Sequence, residues 1–441
     1  MTGFLYKYLV FCALFAFTLL PCFYSAAQDS INTEFYNDNY LRYKNHTYKD
    51  YIKTIQLHKE GWELGYPFIT LNSSDRLVLS FDDLEADAKS YSYTFLHCEA
   101  DWTPSNLMQN EYTEGFTENE IRDYNYSLNT LYKYTHFSVT FPNEDIRLTL
   151  SGNYIVMVYK DFNKDSLILT RRFSILEPKV EVIAVVKAAT ILDERKYSQE
   201  IDFTINHGGY PINDPYGDVK VVVTQNNRWD NAITDLKPVF VKDRELVYDF
   251  DYGNVFKGGS EFRNFDIKSV RYQSQYIKEI LYEKPYYHIY LQNDEPRRFK
   301  IYFYDQDING RYYIKIQEGD DSNVEADYVY VHFSLPYDAP VIDGNFYVFG
   351  ALSDWNFKLE NRMKYNFERK AYECTILLKQ GYYNYEYAFV KDGTDFADDS
   401  YLEGSHYETE NDYVIYVYHH DFTSRYDRLV GVQIVNSITK K

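Results

Sequence analysis

Cysteine is scarce in this chain. Four of the 441 residues are cysteine, and two of them, Cys12 and Cys22, lie in an N-terminal stretch with the character of an export signal. The other two, Cys98 and Cys374, allow one disulfide at most in an oxidising compartment. Each could instead be a small buried hydrophobe, and Cys374 lies on the apolar face of a predicted strand, which favours burial. The sequence leaves this pairing open.

Long apolar runs are missing after residue 20. Residues 8–20 form an apolar run of roughly a dozen residues after Lys7, which is too short to span a bilayer and is typical of a secretory signal. Small residues end at Ala27, so we predict a signal peptide over residues 1–27. Pro21 is not the small residue that should precede a lipoprotein cysteine, so a lipid anchor at Cys22 is not expected. The mature chain is therefore expected to be exported and soluble, without direct membrane insertion.

Basic residues are outnumbered by acidic ones. The chain has 46 Lys and Arg against 66 Asp and Glu, a formal net charge of −20. Removal of the signal takes away Lys7 and no acidic residue, so the mature chain is one unit more negative. Such a surface repels phosphate backbones and anionic lipid. Nucleic acid is therefore not expected as a partner.

The usual signatures of catalysis are absent from the sequence. It contains no H-E-x-x-H, no G-x-S-x-G and no Walker-type loop, so hydrolytic and nucleotide chemistry have no recognisable motif. Carboxylates are abundant, which leaves an acidic pair of the glycosidase kind open to structural inspection. We expect a protein that is not an enzyme, with no catalytic and no cofactor-binding residues.

Two acidic loops resemble calcium sites without completing one. Asp305, Asp307, Asn309 and Gly310 match the opening of an EF-hand loop, but Ile316 stands where the bidentate Glu is required. A second cluster of acidic residues, which a solvated loop explains, consists of Asp392, Asp395, Asp398 and Asp399. No metal site is expected.

Aromatic residues are abundant. They make up 19% of the chain, and 49 of them are tyrosine. Tyrosine suits half-buried strand faces and recognition surfaces alike, because its ring packs while its hydroxyl stays hydrated. The runs at 286–290 and 413–418 have rings at neighbouring positions, which a sheet with one buried face cannot bury together. Some of these phenols are expected to face a partner or solvent.

A period of two runs through the C-terminal part of the chain. Apolar side chains alternate with polar ones from Tyr372 to Leu378, Gly381 interrupts the pattern, and alternation resumes from Tyr383 to Phe389 before a turn at Asp392-Gly393. Together with FGALSDW at 349–355, this order resembles the early-set, glycogen-binding-like immunoglobulin sandwich. In such domains function lies on the surface.

Similar segments follow one another at short spacing along the whole chain, which predicts an all-β fold of tandem immunoglobulin-like/early-set β-sandwiches. Prolines near 178 and at 336–340 mark breaks between units. We predict an N-terminal β-sandwich domain at 28–178, a middle one at 179–338 and a C-terminal early-set/glycogen-binding-like domain at 339–441. A helical or irregular insertion is expected at 107–122.

One hairpin is predicted with particular clarity. Phe299, Ile301 and Phe303 alternate before Asn309-Gly310, and Ile314 and Ile316 alternate after it. Asn-Gly is the preferred corner of a type I′ turn. The pattern therefore predicts two paired strands, with the first three apolar residues on one side of the first strand and the other two on the returning strand.

Trp355, Asn356 and Lys358 stand where glycogen-binding domains often hold sugar against an aromatic face and hydrogen-bonding side chains. They are possible glycan contacts. The competing interpretation is that Trp355 is a packing residue at a strand end, as sandwich tryptophans commonly are.

Ten blocks in order resemble a family of exported Bacteroidota proteins, the plug proteins of the type IX secretion system. They read GWEL (61–64), LSFDDL (79–84), HCEADW (97–102), EGFTEN (114–119), DINGRY (307–312), EADYV (325–329), FGALSDW (349–355), ENRM (360–363), GSHYETENDY (404–413) and RYDRL (425–429). The blocks cover most of the mature chain, which makes the resemblance more specific than any single motif here.

The resemblance implies a periplasmic protein at the inner face of the outer membrane. Such a protein docks on the giant SprA-type outer-membrane translocon barrel and closes its pore while no cargo is in transit. It would be a monomer when free, with a polar interface of moderate strength that can be released. The rival hypothesis is an exported carbohydrate-binding module protein that captures glycans through its C-terminal domain, and an unrecognised periplasmic enzyme is a third.

Overall fold

The computed structural model describes residues 40–394, 396–421 and 423–438. The predicted signal peptide at 1–27, with Cys12 and Cys22, lies outside these residues, as does Asp395 of the second acidic cluster. All of the described strands lie in the compact unit Leu41–Lys441.

The N-terminal strands, between residues 46 and 176, form three sheets that pack against one another around a shared core. The strands are β1 His46–Thr47, β2 Ile52–Lys59, β3 Phe68–Thr70, β4 Leu77–Asp83, β5 Tyr91–Cys98, β6 Thr113–Gly115, β7 Asn119–Glu120, β8 Asp123–Tyr126, β9 Thr135–Phe141, β10 Ile146–Leu148, β11 Gly152–Lys160 and β12 Asn163–Leu176, with one helical turn, α1 Gln109–Tyr112. The sheet orders are β1-β12-β11-β5-β7 with β3 on β12, β2-β4-β9-β8, and β10-β6. Their shared core, the first core, contains Phe81, Phe95 and Phe137.

A second set of strands begins after residue 180. These are β13 Glu181–Ala188, β14 Ser198–Asn206, β15 Val219–Gln225, β16 Phe240–Val241, β17 Glu245–Tyr248 and β18 Val255–Lys257. All but β15 join the sheet β13-β14-β17-β16, with β18 on β14. The remaining strand, β15, pairs elsewhere.

The rest of the chain adds twelve strands. They are β19 Arg263–Asp266, β20 Ile277–Glu283, β21 Tyr286–Leu291, β22 Tyr312–Ile314, β23 Tyr328–Pro336, β24 Gly344–Phe349, β25 Lys364–Asn366, β26 Ala371–Lys379, β27 Gly381–Lys391, β28 Ala397–Asp398, β29 Asp412–His419 and β30 Arg428–Asn436, with helical turns α2 Ser322–Glu325 and α3 Ser400–Glu403 and a 3₁₀ turn Ala351–Ser353. They form β20-β21-β23-β26-β25, β19-β27-β22 with β24 and β28 on β27, and β15-β29-β30.

Strand pairing crosses residue 338. Strand β15 pairs along its whole length with β29, from Val219 opposite His419 to Gln225 opposite Tyr413. The second core therefore combines residues between Val182 and Phe256 with residues between Tyr413 and Val430. The third core, formed by residues 265–402, lies between these two segments in sequence. The boundaries at 178 and 338 stay a prediction, and this pairing indicates which fragments would test them.

The all-β prediction is confirmed. The alternating segments at 372–378 and 383–389 lie in β26 and β27, and Gly381 begins β27. In β26 the predicted apolar set, Tyr372 to Leu378, is buried while Thr375 is exposed. Among the described residues every helix is a single turn, and none is long and apolar enough to cross a membrane.

The tyrosines of β29 do not face a partner or solvent, contrary to the expectation for 413–418. Tyr413, Tyr416 and Tyr418 are all buried. The reason is that β29 has a core on each face: Tyr413 packs into one core, and Tyr416 and Tyr418 pack into another. A strand enclosed on both sides can bury every ring.

The predicted hairpin at Asn309-Gly310 is wrong in its first strand. The turn exists, with positive φ at both Asn309 and Gly310 and a hydrogen bond from Arg311 N–H to the Ile308 carbonyl. The residues after it form β22, which pairs with β27. Residues 301–308 form no strand, because β27 already supplies the partner of β22 and the buried Asn384 side chain of β27 accepts from Ile308 N–H.

The two cysteines are free thiols, and both are buried. Burial raises the pKa of the Cys98 thiol to about 12 and that of Cys374 to about 12. The disulfide alternative is therefore not formed in this structure.

Candidate interaction surfaces

Trp355 is a packing residue. Its ring lies edge-on to Phe262 and Phe349, with centroid distances of 5.9 and 5.2 Å. The guanidinium of Arg228 covers the ring at 4.9 Å. One face of the ring is thus covered by a cation and its edges pack against two other rings, so the structure does not favour the glycan-binding alternative.

Asn356 and Lys358 lie in the same loop as Trp355 and take part in its hydrogen bonds. Asn356 Nδ2 donates to the Asp354 carbonyl at 2.6 Å, and Lys358 N–H donates to the side chain of Asn361 at 2.8 Å. The ammonium of Lys358 lies 4.0 Å from Asp354. The structure brings the three predicted residues together, but their roles as glycan contacts stay a prediction.

The two acidic loops predicted from sequence are used for internal contacts. Asp307 accepts hydrogen bonds from the N–H groups of Phe262 and Asn309. Asp398 accepts from the Ser400 hydroxyl, and Asp399 pairs with Arg228 at 2.8 Å. The described carboxylates of the second loop therefore have different partners and do not converge.

Two other groups of ionisable side chains come close enough to hold an ion. One is Glu99, His420 and Asp427, and the other is Glu200, Asp202 and Asp249. Each group already contains a lysine ammonium: Lys220 lies 2.8 Å from Asp427, and Lys187 lies 3.0 Å from Glu200 and 2.5 Å from Asp202. A structural role in charge neutralisation explains both groups without a metal.

An aromatic ladder runs across the outer face of β21 and β23. It consists of half-buried rings in contact in this order: Tyr132, Tyr286, Tyr330, His288, His332 and Tyr290. The tightest stack is Tyr290 on His332, with centroids 4.2 Å apart. This agrees with the expectation that rings of the 286–290 run remain partly outside the core.

Three of the four most exposed large apolar side chains of the described residues form a second surface. Phe299, Ile301 and Phe303 are 92%, 93% and 80% exposed. Sequence reasoning placed all three in a paired strand and so missed this surface. One signal could have indicated it: charged residues at 294–298 and 305–307 flank the run on both sides, which is unusual for a core strand.

A recess beside this surface is small. Its volume is about 250 Å³, and its lining includes Arg298, Phe299, Tyr337 and Tyr401. Ligand pockets typically begin at about 300 Å³. The recess therefore offers little to a small-molecule substrate.

Buried ion pairs connect the cores rigidly. Asp82 of β4 and Lys379 of β26 are almost fully buried and lie 2.7 Å apart. Tyr328 donates a hydrogen bond to the same carboxylate at 2.7 Å, and His136 contacts its other oxygen at 2.6 Å. Burial alone would raise the pKa of Asp82, but Lys379 and His136 hold it below its ordinary value.

A second buried network lies within the third core. Glu403 pairs with Arg263 at 3.0 Å and with Arg297 at 2.7 Å. Although its burial opposes ionisation, these two cations lower the pKa of Glu403 to about 2. The network keeps the carboxylate charged and connects α3 to β19.

Comparison with known proteins identifies a matching family model and similar solved structures. Residues 52–177 match the model of the type 9 secretion system plug protein 1st domain. A crystal structure of a hypothetical protein from Parabacteroides merdae is similar with 37% identity and a TM-score of 0.87, covering 90% of this chain and 100% of that one. No curated protein matches the chain.

Proposed function

We propose, from the premise that this chain belongs to the type IX secretion system plug protein family, that it is the plug subunit of that system. In this role it binds the periplasmic side of the giant outer-membrane translocon barrel. It seals the pore while no cargo is in transit. The observation that carries the proposal is the family match over residues 52–177, which span the whole first core.

The interior of the molecule supports a role as a stiff stopper. The Asp82–Lys379 pair joins a strand of the first core to a strand of the third. The first core also meets the C-terminal strands directly, because Glu177 N–H donates to the Leu429 carbonyl at 2.9 Å. A body whose cores are joined by buried charges and shared sheets transmits load without bending between modules.

The surface supports a role in protein contact. The aromatic ladder presents stacked rings at a low cost in side-chain entropy, which is characteristic of recognition surfaces. The formal charge of −20 disfavours nucleic acid and anionic lipid as partners. Family membership favours a structural role over a catalytic one and a location in the cell envelope; the periplasm, at the inner face of the outer membrane, is our proposal.

Co-purification from outer-membrane extracts tests the partner. An affinity-tagged chain should recover the translocon barrel in near-stoichiometric amount, and the same tag on an unrelated exported protein should not. A second measurement tests the seal: cells that lack the chain should admit large antibiotics that the outer membrane normally excludes, and the wild-type gene should reverse this. Recovery of the chain free of any barrel, together with unchanged permeability, would overturn the proposal.

A further inference from the structure

The segment 299–305 has the alternation of a β-strand but no strand partner. Phe299, Ile301 and Phe303 point outward and are almost fully exposed. Tyr302, between Ile301 and Phe303, is turned to the protein and donates a hydrogen bond to Glu261 at 2.5 Å. Lys300 is exposed, and Tyr304, which follows Phe303, is 49% exposed and donates to Glu410 at 3.4 Å. The segment is therefore anchored through Tyr302 and has a presented outer face.

The backbone of this segment is unpaired in its middle, after a turn in which Lys300 N–H donates to the Arg297 carbonyl at 2.8 Å. The N–H groups of Ile301, Tyr302 and Phe303 find no acceptor within the part of the chain that the structure describes. Neighbouring backbone groups without partners can serve as a template for pairing with another strand. Three large apolar side chains beside it form the kind of patch that marks a protein interface.

The chemistry of the segment selects its occupant. The unpaired backbone groups can bond to a partner that offers its own unpaired N–H and C=O groups, which is the edge of a β-strand. The outward side chains require that this partner also has an apolar face. A second copy of this chain is disfavoured because each copy carries a formal charge of −20. Arg298 has no ion-pair partner among the described residues and lies over the Phe299 ring at 5.4 Å, so it suits a carboxylate on the partner's rim.

We propose that residues 299–305 are a docking strand that adds to an unpaired strand of the translocon. This rests on the proposed function, which supplies the barrel as partner. A closed barrel has no free strand edge in its wall. The edge that receives the docking strand therefore belongs to a periplasmic segment of the partner outside the wall.

The side-chain test is a triple substitution with a matched control. Phe299→Ser, Ile301→Ser and Phe303→Ser together remove the outer face, and Ile342→Ser, Leu359→Ser and Phe367→Ser remove three exposed apolar side chains elsewhere. Recovery of the barrel from outer-membrane extracts by the tagged full chain should fall at least about tenfold for the first set. The second set should recover as much barrel as wild type. All variants should keep the wild-type thermal unfolding midpoint, since the side chains contact little.

The backbone test compares Ile301→Pro with Ile301→Ala. Both remove the side chain, but only proline removes the N–H group, which has no partner in the free protein. If the segment pairs as a strand, the proline variant should recover about fivefold less barrel than the alanine variant. Equal recovery would overturn strand addition.

The remaining outcomes separate the two proposals. If wild type recovers the barrel and the triple variant recovers as much, the docking strand is wrong and the plug function stands. If wild type recovers no barrel, the docking strand is wrong, and if loss of the chain also leaves permeability unchanged, the plug function fails with it. Self-association in sedimentation, or binding to phosphatidylethanolamine–phosphatidylglycerol vesicles, that the triple variant abolishes would assign the segment to another occupant and overturn the inference.

Discussion

At the scale of single residues, burial decides the protonation of several side chains. Glu261 is buried, and one of its carboxylate oxygens has no hydrogen-bond partner within the described chain. Burial raises the pKa of Glu261 to about 7, against hydrogen bonds from Tyr302 and from Glu410 N–H that favour the charged form. The same cause raises the pKa of Asp307 to about 6.

Glu261→Gln should therefore stabilise the protein increasingly as pH rises. The folded pKa of Glu261, about 7, lies above its unfolded value, so the wild type is fully stable only below the unfolded pKa and loses stability as pH rises towards 7. Glutamine does not titrate, so this contribution to stability does not change with pH in the variant. Urea unfolding of both proteins from pH 5 to pH 8 should show a difference that grows by up to about 3 kcal/mol.

Glu63→Gln is the control, because Glu63 is exposed. It should unfold like wild type at every pH. A difference for Glu261→Gln that is constant from pH 5 to pH 8 would contradict the raised pKa.

Cys98 and Cys374 should not react in the native state. With both thiol pKa values at about 12 and both side chains buried, the thiolate is scarce and inaccessible at pH 8. A disulfide-exchange reagent should detect no thiol in the folded mature chain and two after denaturation without reductant. Ser74→Cys, at an exposed position, should react at once. Absence of thiols after denaturation would mean that the two cysteines are joined.

At the scale of elements, buried ion pairs connect strands that are far apart in sequence. Asp82 and Lys379 join β4 to β26, and both are excluded from water. Lys53 and Glu360 bridge the same two cores, but this pair is partly exposed. A charge left without its partner in the interior costs far more than one left at the surface.

Lys379→Met should destabilise the protein by about 3–5 kcal/mol, because it leaves the Asp82 carboxylate buried without its cation. Adding Asp82→Asn should restore part of this loss. Lys53→Met removes the exposed pair and should cost about 1 kcal/mol or less. Equilibrium urea unfolding measures the free energy of unfolding of wild type and the three variants. Equal losses of stability for the two lysine variants would refute the claim that the buried pair contributes more than the exposed one.

At the scale of the whole molecule, segments that are neighbours in a core are not always neighbours along the chain. The N-terminal sheets use strands between β1 and β12 and none from elsewhere. The second core borrows β29 and β30 from the C-terminus, and the third core is built from the sequence between. The first and last described strands therefore lie within one compact unit.

Two fragments should behave differently on this basis. Residues 40–178 contain complete sheets and should give a β-sheet circular dichroism spectrum with cooperative unfolding. Residues 179–338 lack the partners of β15 and β19, which are β29 and β27, and should be unfolded or aggregated. A folded, monomeric fragment 179–338 would instead support the domain boundary predicted at 338.

Local pattern predicted most of the strands, and it failed where pairing was decided by distant segments. The alternation at 372–378 and the Gly381 break gave β26 and β27 correctly, because period two and a glycine act within a few residues. Phe299, Ile301 and Phe303 have the same period, yet they remain exposed. Nothing in their own sequence shows that β27 is already the partner of β22.

The candidate site was less predictable than the fold. Trp355 looked like a sugar platform until Arg228, more than a hundred residues earlier, was found against its ring. The tyrosines of β29 looked like a surface until two cores were found on either side of the strand.

The sequence by itself determined the class of the fold and the family, since alternation, turn residues and ordered blocks are written along the chain. The tertiary structure alone decided which strands share a sheet, which rings are covered and which segment is left unpaired. These depend on contacts between residues hundreds of positions apart. The entropy lost when such long loops close, and the packing free energy gained in return, cannot be read from a few neighbouring residues.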